Sequence, residues 1–127
     1  MEENRVLLRE DDLDLAQLVI EILEDAGYQV IHVIEIDDLL HAAKKNSPCV
    51  ALVDGMHPAR YDLWWLGPEL RKLGVPPLAF TAHASARTEF AADSHGYVGV
   101  VTKPFDADEF LSLVNQVCWE DYQAVAS

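Results

Sequence analysis

Short apolar runs alternate with segments of helical periodicity along this 127-residue chain, and that alternation leaves few folds open. Val6–Leu8, Tyr28–Val33, Cys49–Val53, Leu78–Phe80 and Tyr97–Val101 have the length and apolar content of strands. Cys49–Val53 is unbroken apolar sequence, as in a central parallel strand covered on both faces. Between the first two runs, Leu13–Ala26 places Leu15, Leu18, Val19, Ile22, Leu23 and Ala26 on one helical face, and Gly27 stands where a C-terminal cap is expected. Asp37–Lys45 turns Leu39, Leu40 and Ala43 inward and ends at Ser47-Pro48. A third helix covers Glu69–Leu73 or starts earlier, with Gly67-Pro68 opening or interrupting it. A fourth, Ala86–Ala92, has only Phe90 as a large anchor, and the last runs from an Asp106 N-cap to Val125. Such alternation with short connections implies an α/β fold, a parallel sheet covered on both sides by right-handed crossovers. A single domain over 1–127 is expected, the last helix leaving no room for an output domain.

Four residues stand where these strands end: Glu10 and Asp11 after the first, Asp54 after the third and Lys103 after the fifth. In open α/β sheets, ligands bind outside the carboxyl ends of the strands. If these strands are neighbours, the four side chains meet at that edge. Crowded carboxylates repel one another unless a cation joins them. A hard cation such as Mg²⁺ takes carboxylate oxygens and keeps several waters. Lys103 supplies a second positive charge for an incoming anion, and Thr81 also lies at a strand end. Taken alone, Glu10-Asp11-Asp12-Asp14 is equally a solvated acidic run favoured by a helix dipole. Beside Asp54 and Lys103, Asp11 reads as a metal ligand, leaving Asp12 and Asp14 as cap and first-turn residues.

Nine Lys and Arg against 22 Asp and Glu give a formal charge of −13. That argues against nucleic acid and against anionic membrane as partners. The N-terminal MEENRVLLRED lacks the apolar segment of a signal peptide, and no run approaches the roughly 20 apolar residues of a membrane span. Cys49 and Cys118 lie in apolar contexts without CxxC spacing, so two buried thiols in a reducing cytoplasm are expected. His32, His41, His57, His83 and His95 show no zinc-binding pattern.

The runs VLLRED at 6–11, ALVDGMHP at 51–58, FTA at 80–82 and TKPF at 102–105 resemble, in order, the landmarks of bacterial two-component receiver domains. The resemblance covers nearly the whole chain. It implies a flavodoxin-like, doubly wound sheet of order 2-1-3-4-5 with five helices in three layers. It also implies a stand-alone, chemotaxis-regulator-like response regulator in the cytoplasm. Such a protein catalyses its own phosphorylation from a phosphohistidine or acyl phosphate, and its own dephosphorylation, rather than turning over an external substrate. By this resemblance Asp54 is the phosphoacceptor, a carboxylate nucleophile. Mg²⁺ (or Mn²⁺) is held by Glu10, Asp11, Asp54 and the backbone carbonyl of Met56. Thr81 bonds a phosphoryl oxygen, Ala82 keeps the site open, and Lys103 pairs first with Asp54 and then with phosphate. The peptide before Pro104 is expected to be cis. Met56 and His83 flank the path of attacking water and tune the phosphoryl lifetime. The implied partners are a histidine kinase or phosphotransfer protein, and a downstream target docking on the face of the fourth helix, fifth strand and last helix.

Several positions depart from that pattern. Val100 stands where the family carries an aromatic switch three residues before the lysine, and Tyr97 lies three residues earlier still. The loop after Pro58 has Tyr61 and Asp62 where Asp-Gly is common, and His57 replaces an apolar residue. Arg9 occupies an aliphatic position, its guanidinium reaching either the surface or an acid. At least one of Tyr61, Trp64 and Trp65 is expected to pack on the core. Trp119, roughly 140° from Val114 around the last helix, is expected to point outward and offers a contact residue. These departures leave room for a receiver-like module that binds proteins without phosphate. A Mg²⁺-dependent hydrolase would carry a second Asp at the place of Met56.

Overall fold

The computed structural model describes residues 4–55, 61–82 and 85–119. Five strands, β1 (Arg5–Arg9), β2 (Gln29–Val33), β3 (Val50–Val53), β4 (Pro77–Thr81) and β5 (Gly99–Thr102), pair in parallel in the order β2-β1-β3-β4-β5. The chain moves outward from β1 to β2, then crosses back to β3. The strand order therefore reverses at the carboxyl ends of β1 and β3, where such sheets open a crevice.

Side-chain alternation along the strands builds two cores. Leu7, Ala51, Val53 and Ala79 face one side, packed with residues of α2 (Ile36–Asn46), α3 (Tyr61–Trp64), α4 (Leu66–Lys72) and α5 (Ala86–Ser94). Val6, Leu8, Val50, Leu52, Leu78 and Phe80 face the other, under α1 (Leu13–Asp25) and α6 (Ala107–Trp119). The result is the expected three-layer, flavodoxin-like arrangement. Asp12 caps α1 by accepting from the Asp14 and Leu15 amides, and Asp106 does the same for α6 through Glu109. Gly27 takes φ +96° just past α1, and Ser47 takes φ 47° where α2 stops.

Several expectations need correction. The third helix comes in two pieces, α3 and α4, and the break falls at Trp65 rather than at Gly67-Pro68. Pro68 sits in the first turn of α4, where its missing N–H costs no intrahelical bond. Strand β5 begins at Gly99, because the Tyr97 amide is taken by Ala92 at the close of α5. Phe90 is 75 % exposed instead of anchoring α5. That helix buries the small residues Thr88 and Ala92, and Phe90, two residues from each, projects from the opposite side. On α1 the buried stripe is Ala16, Val19 and Leu23; Leu18 is half exposed on the flank and Ala26 is exposed at the C-cap. Trp64 is fully buried and edge-on to Tyr97, meeting the expectation that one aromatic of this segment packs on the core; Trp119 is exposed as expected, and Trp65 is exposed as well. Cys49 and Cys118 are not thiols: they form a disulfide across 69 residues of sequence. Cys49 precedes β3 and Cys118 lies in the last turn of α6, both partly buried at the rim of the second core. Only the tertiary fold brings them together.

Candidate functional site

Strand register aligns the chemistry. Arg9 pairs with Val53, Val53 with Ala79, and Thr81 with Thr102. Glu10, Asp54 and Lys103 are thus each the first residue beyond a strand, at one edge of the sheet. Main-chain bonds fix all three: Glu10 N–H to the Val33 carbonyl (3.3 Å), Asp54 N–H to the Arg9 carbonyl (3.1 Å) and Lys103 N–H to the Thr81 carbonyl (2.8 Å).

The side chains converge. The Lys103 ammonium donates to Asp54 Oδ1 in a close ion pair and to Glu10 Oε1 at 3.2 Å. The ammonium also lies over the Phe80 ring, 5.7 Å from its centroid, and that ring belongs to a cluster with Phe105 and Phe110. The Lys103–Pro104 peptide is cis, as the resemblance implied. Carboxylate oxygens of Glu10, Asp11 and Asp54 all lie within 4.8 Å of one another. Glu10 and Asp54 are buried while Asp11 is exposed, so the cluster is open to solvent on one side. Thr81 is buried at the end of β4 and Ala82 is exposed just beyond it. Met56 and His83 lie outside the described residues.

Electrostatics separate the two buried acids. Burial raises the Glu10 carboxyl, and its hydrogen bond and repulsion with Asp54 raise it further, to about 7, against the Asp12 amide and Lys103. Burial acts on Asp54 in the same sense. There it is outweighed by hydrogen bonds from Glu10, Lys103 and the Gly55 amide and by the Lys103 charge, so Asp54 is held below its ordinary value. Lys103 loses by burial but gains more from Asp54 and Glu10, and is held above its ordinary value. The arrangement is an ionised aspartate, a firmly protonated lysine and hard oxygen donors facing solvent. The donor set suits a small divalent cation.

Two contacts escaped sequence reasoning. Arg9 is partly exposed, and its guanidinium is taken by main chain: Nε donates to the Ile34 carbonyl at 2.9 Å and Nη1 to the Asp54 carbonyl at 3.1 Å, with no acid paired to it among the described residues. His32 Nε2 lies 2.7 Å from the Glu10 carbonyl oxygen, tying β2 to the acidic turn. The available signal for both was a polar residue at a strand position where apolar ones dominate.

Comparison with known proteins places the chain in a family. Residues 6–115 match the response regulator receiver domain model, and the chain belongs to that family. It is 27% identical over 112 residues to the transcriptional regulatory protein YxdJ of Bacillus subtilis, covering 87% of this chain and 48% of that protein. It is 30% identical over 112 residues to the transcriptional regulatory protein DltR of Streptococcus agalactiae, covering 87% of this chain and 50% of that protein. The chain therefore spans about half the length of these curated relatives. Among solved structures, a CheY-like response regulator receiver domain protein from Methanospirillum hungatei superposes with a TM-score of 0.80 at 22% identity. That match covers 99% of this chain and 100% of the other, and it speaks for the fold. The chain is thus a receiver domain of two-component signalling, a class served by histidine kinases or phosphotransfer proteins. Among the described residues, no helix is long and apolar enough to cross a membrane.

Proposed function

We propose that this receiver domain accepts a phosphoryl group on Asp54 in a Mg²⁺-dependent reaction and passes the signal on by protein contact. The observation that carries the reading is the bridge from Lys103 to both Asp54 and Glu10, with the Asp11 carboxylate beside it. Asp54 is ionised, as a nucleophile must be, because Lys103 and the Gly55 amide favour its charged form. A carboxylate oxygen of Asp54 attacks the phosphorus of a phosphohistidine or acyl phosphate. One P–O bond forms, and the P–N or P–O bond to the donor breaks with its electron pair leaving on the donor. Lys103 then turns from the carboxylate to the phosphoryl oxygens, and the Thr81 hydroxyl donates to another. Glu10, Asp11 and Asp54 would hold Mg²⁺, completed by the Met56 carbonyl, and the bound ion would neutralise charge developing on the phosphoryl oxygens. Hydrolysis of the aspartyl-phosphate returns the resting state, with Met56 and His83 governing the approach of water.

For output, the α5, β5 and α6 face is the proposed docking surface for a downstream protein. Phe90 on α5 and Trp119 on α6, both more than half exposed, are separate exposed aromatics on these helices. Val100 on β5 stands where the family carries an aromatic switch, so the signal does not pass through an aromatic at that place.

The test is incubation with acetyl phosphate and Mg²⁺ followed by intact mass. A gain of roughly 80 Da, one phosphoryl group, is expected and should vanish in Asp54→Asn. No gain under these conditions would leave a module that binds proteins without phosphate.

A further inference from the structure

The Asp54–Gly55 peptide is held at both of its polar ends. Arg9 Nη1 donates to the Asp54 carbonyl at 3.1 Å. The Gly55 N–H of the same peptide is among the groups that favour the charged form of the Asp54 carboxyl. In a planar trans peptide the C=O and N–H point opposite ways, so fixing one aims the other. Gly55 has φ +86°, and a Cβ there would lie 3.2 Å from Arg9 Nη1. The guanidinium and the glycine thus fit one another closely. Through Nε, Arg9 also holds the Ile34 carbonyl at 2.9 Å, so one rigid fork spans the loops after β2 and β3. Its own carbonyl accepts the Asp54 N–H. Among the described residues, no carboxylate forms an ion pair with Arg9. A partly buried guanidinium without an acid is costly where an aliphatic side chain would fill the space. What it gains is the pair of carbonyl bonds.

We infer that Arg9 is a positioning residue for the Asp54 nucleophile, acting through the Asp54–Gly55 peptide. The inference rests on the reading of Asp54 as phosphoacceptor. Arg9 donates to the carbonyl rather than to the carboxylate. It locks and polarises the peptide so that the Gly55 N–H stays aimed at the carboxylate, while Lys103 holds Oδ1.

Arg9→Met and Arg9→Lys test this in the full chain. Two quantities are followed: the Gly55 amide proton by NMR, and the rate of phosphoryl uptake from saturating acetyl phosphate with Mg²⁺. In Arg9→Met the Gly55 amide should move upfield and exchange faster. The rate should fall about tenfold, the equivalent of one ordinary hydrogen bond. The KM for acetyl phosphate should change little. Arg9→Lys keeps the charge without the fork and should lie between. An unmoved Gly55 amide in Arg9→Met overturns the inference, and so does a moved amide with a wild-type rate. If Arg9→Met does not fold, the same two readings on Arg9→Lys decide. If the wild-type protein takes up no phosphoryl group, the phosphoacceptor reading falls by itself. The Gly55 amide in Arg9→Met then still decides the Arg9 contact, a shifted signal supporting it and an unshifted one overturning it.

Discussion

Lys103 and Asp54, 49 residues apart, form an ion pair at the sheet edge, and the same ammonium reaches Glu10. Removing the lysine would leave two buried acids facing each other beside Asp11. Breaking a buried pair by deleting one partner typically costs about 3–5 kcal/mol. Lys103 is partly exposed, so Lys103→Met should destabilise the metal-free protein by somewhat less, roughly 2 kcal/mol. Urea unfolding reads this directly. A midpoint equal to wild type would mean that the acids do not depend on Lys103.

The residues of this pair were legible before any coordinates, because each follows an apolar run and the runs alternate with helices. Their places at strand ends follow from period and position; the strand order that makes those ends neighbours was implied by the family resemblance. What was not legible depends on contacts across the fold. Arg9 could be flagged as odd, but its two carbonyl partners lie 25 and 45 residues away. The Cys49–Cys118 bridge has no spacing signature, and Phe90 misleads because small residues, Thr88 and Ala92, seat α5. Hydrophobicity marks what is able to be buried; close approach of a helix to a sheet decides what is.

Glu10 gives a pH signature in the metal-free protein. Its carboxyl is pushed up to about 7 from 4.5, first by burial and then by Asp54. Between those values the folded state keeps a proton that the unfolded chain has lost. Stability should therefore fall as pH rises from about 4.5 to about 7. Asp54 acts oppositely: its depressed value stabilises the fold above the ordinary carboxylate range and is lost on acidification. Urea midpoints on either side of the Glu10 window should show the decline in wild type and a flatter profile in Glu10→Gln. Equal slopes in the two proteins would remove Glu10 as the source.

Divalent metal should reverse the repulsion. An ion that binds only the folded cluster stabilises by mass action, as RT ln(1 + [L]/Kd). Millimolar Mg²⁺ should raise Tm beyond the effect of NaCl at equal ionic strength, and Asp11→Asn should abolish most of that excess. Asp11 is exposed, and losing its charge relieves part of the repulsion, so without Mg²⁺ the variant should melt no lower than wild type. If Mg²⁺ and NaCl act alike on the wild-type protein, the cluster holds no metal.

The disulfide predicts a redox-dependent stability. The bond links residues 69 apart, and closing a loop of that length removes unfolded-state entropy equivalent to about 4 kcal/mol. Oxidised protein should lose stability of that order when a strong thiol reductant is added. Cys49→Ser should sit at the reduced level and ignore the reductant. Tyr28, whose hydroxyl donates to Asn115 on α6, should keep that helix docked in the reduced form. Far-UV dichroism is therefore expected to change little while the urea midpoint falls. A midpoint indifferent to reductant, with two free thiols titrating in the native protein, would contradict the bridge.

Gly67 offers a test of how the split helix is seated. A Cβ there would meet the His95 carbonyl oxygen at 1.9 Å and the Tyr97 ring at 2.9 Å. The carbonyl is main chain at the close of α5 and cannot swing away like a side chain. The clash would push α4 off the α5 end, where Trp64 also packs on His95 and Tyr97, and where the Tyr97 hydroxyl holds the Leu63 carbonyl at 3.2 Å. Gly27 is the control: it has φ +96° but nothing within 4 Å of an added Cβ. Gly27→Ala meets only backbone strain, about 1–2 kcal/mol, whereas overpacking against main chain at Gly67 should cost about 3 kcal/mol or more. Denaturation of the two variants should rank Gly67→Ala as the less stable. The reverse order would mean that α4 has room to shift, and that the contact between α4 and the end of α5 is looser than its geometry implies.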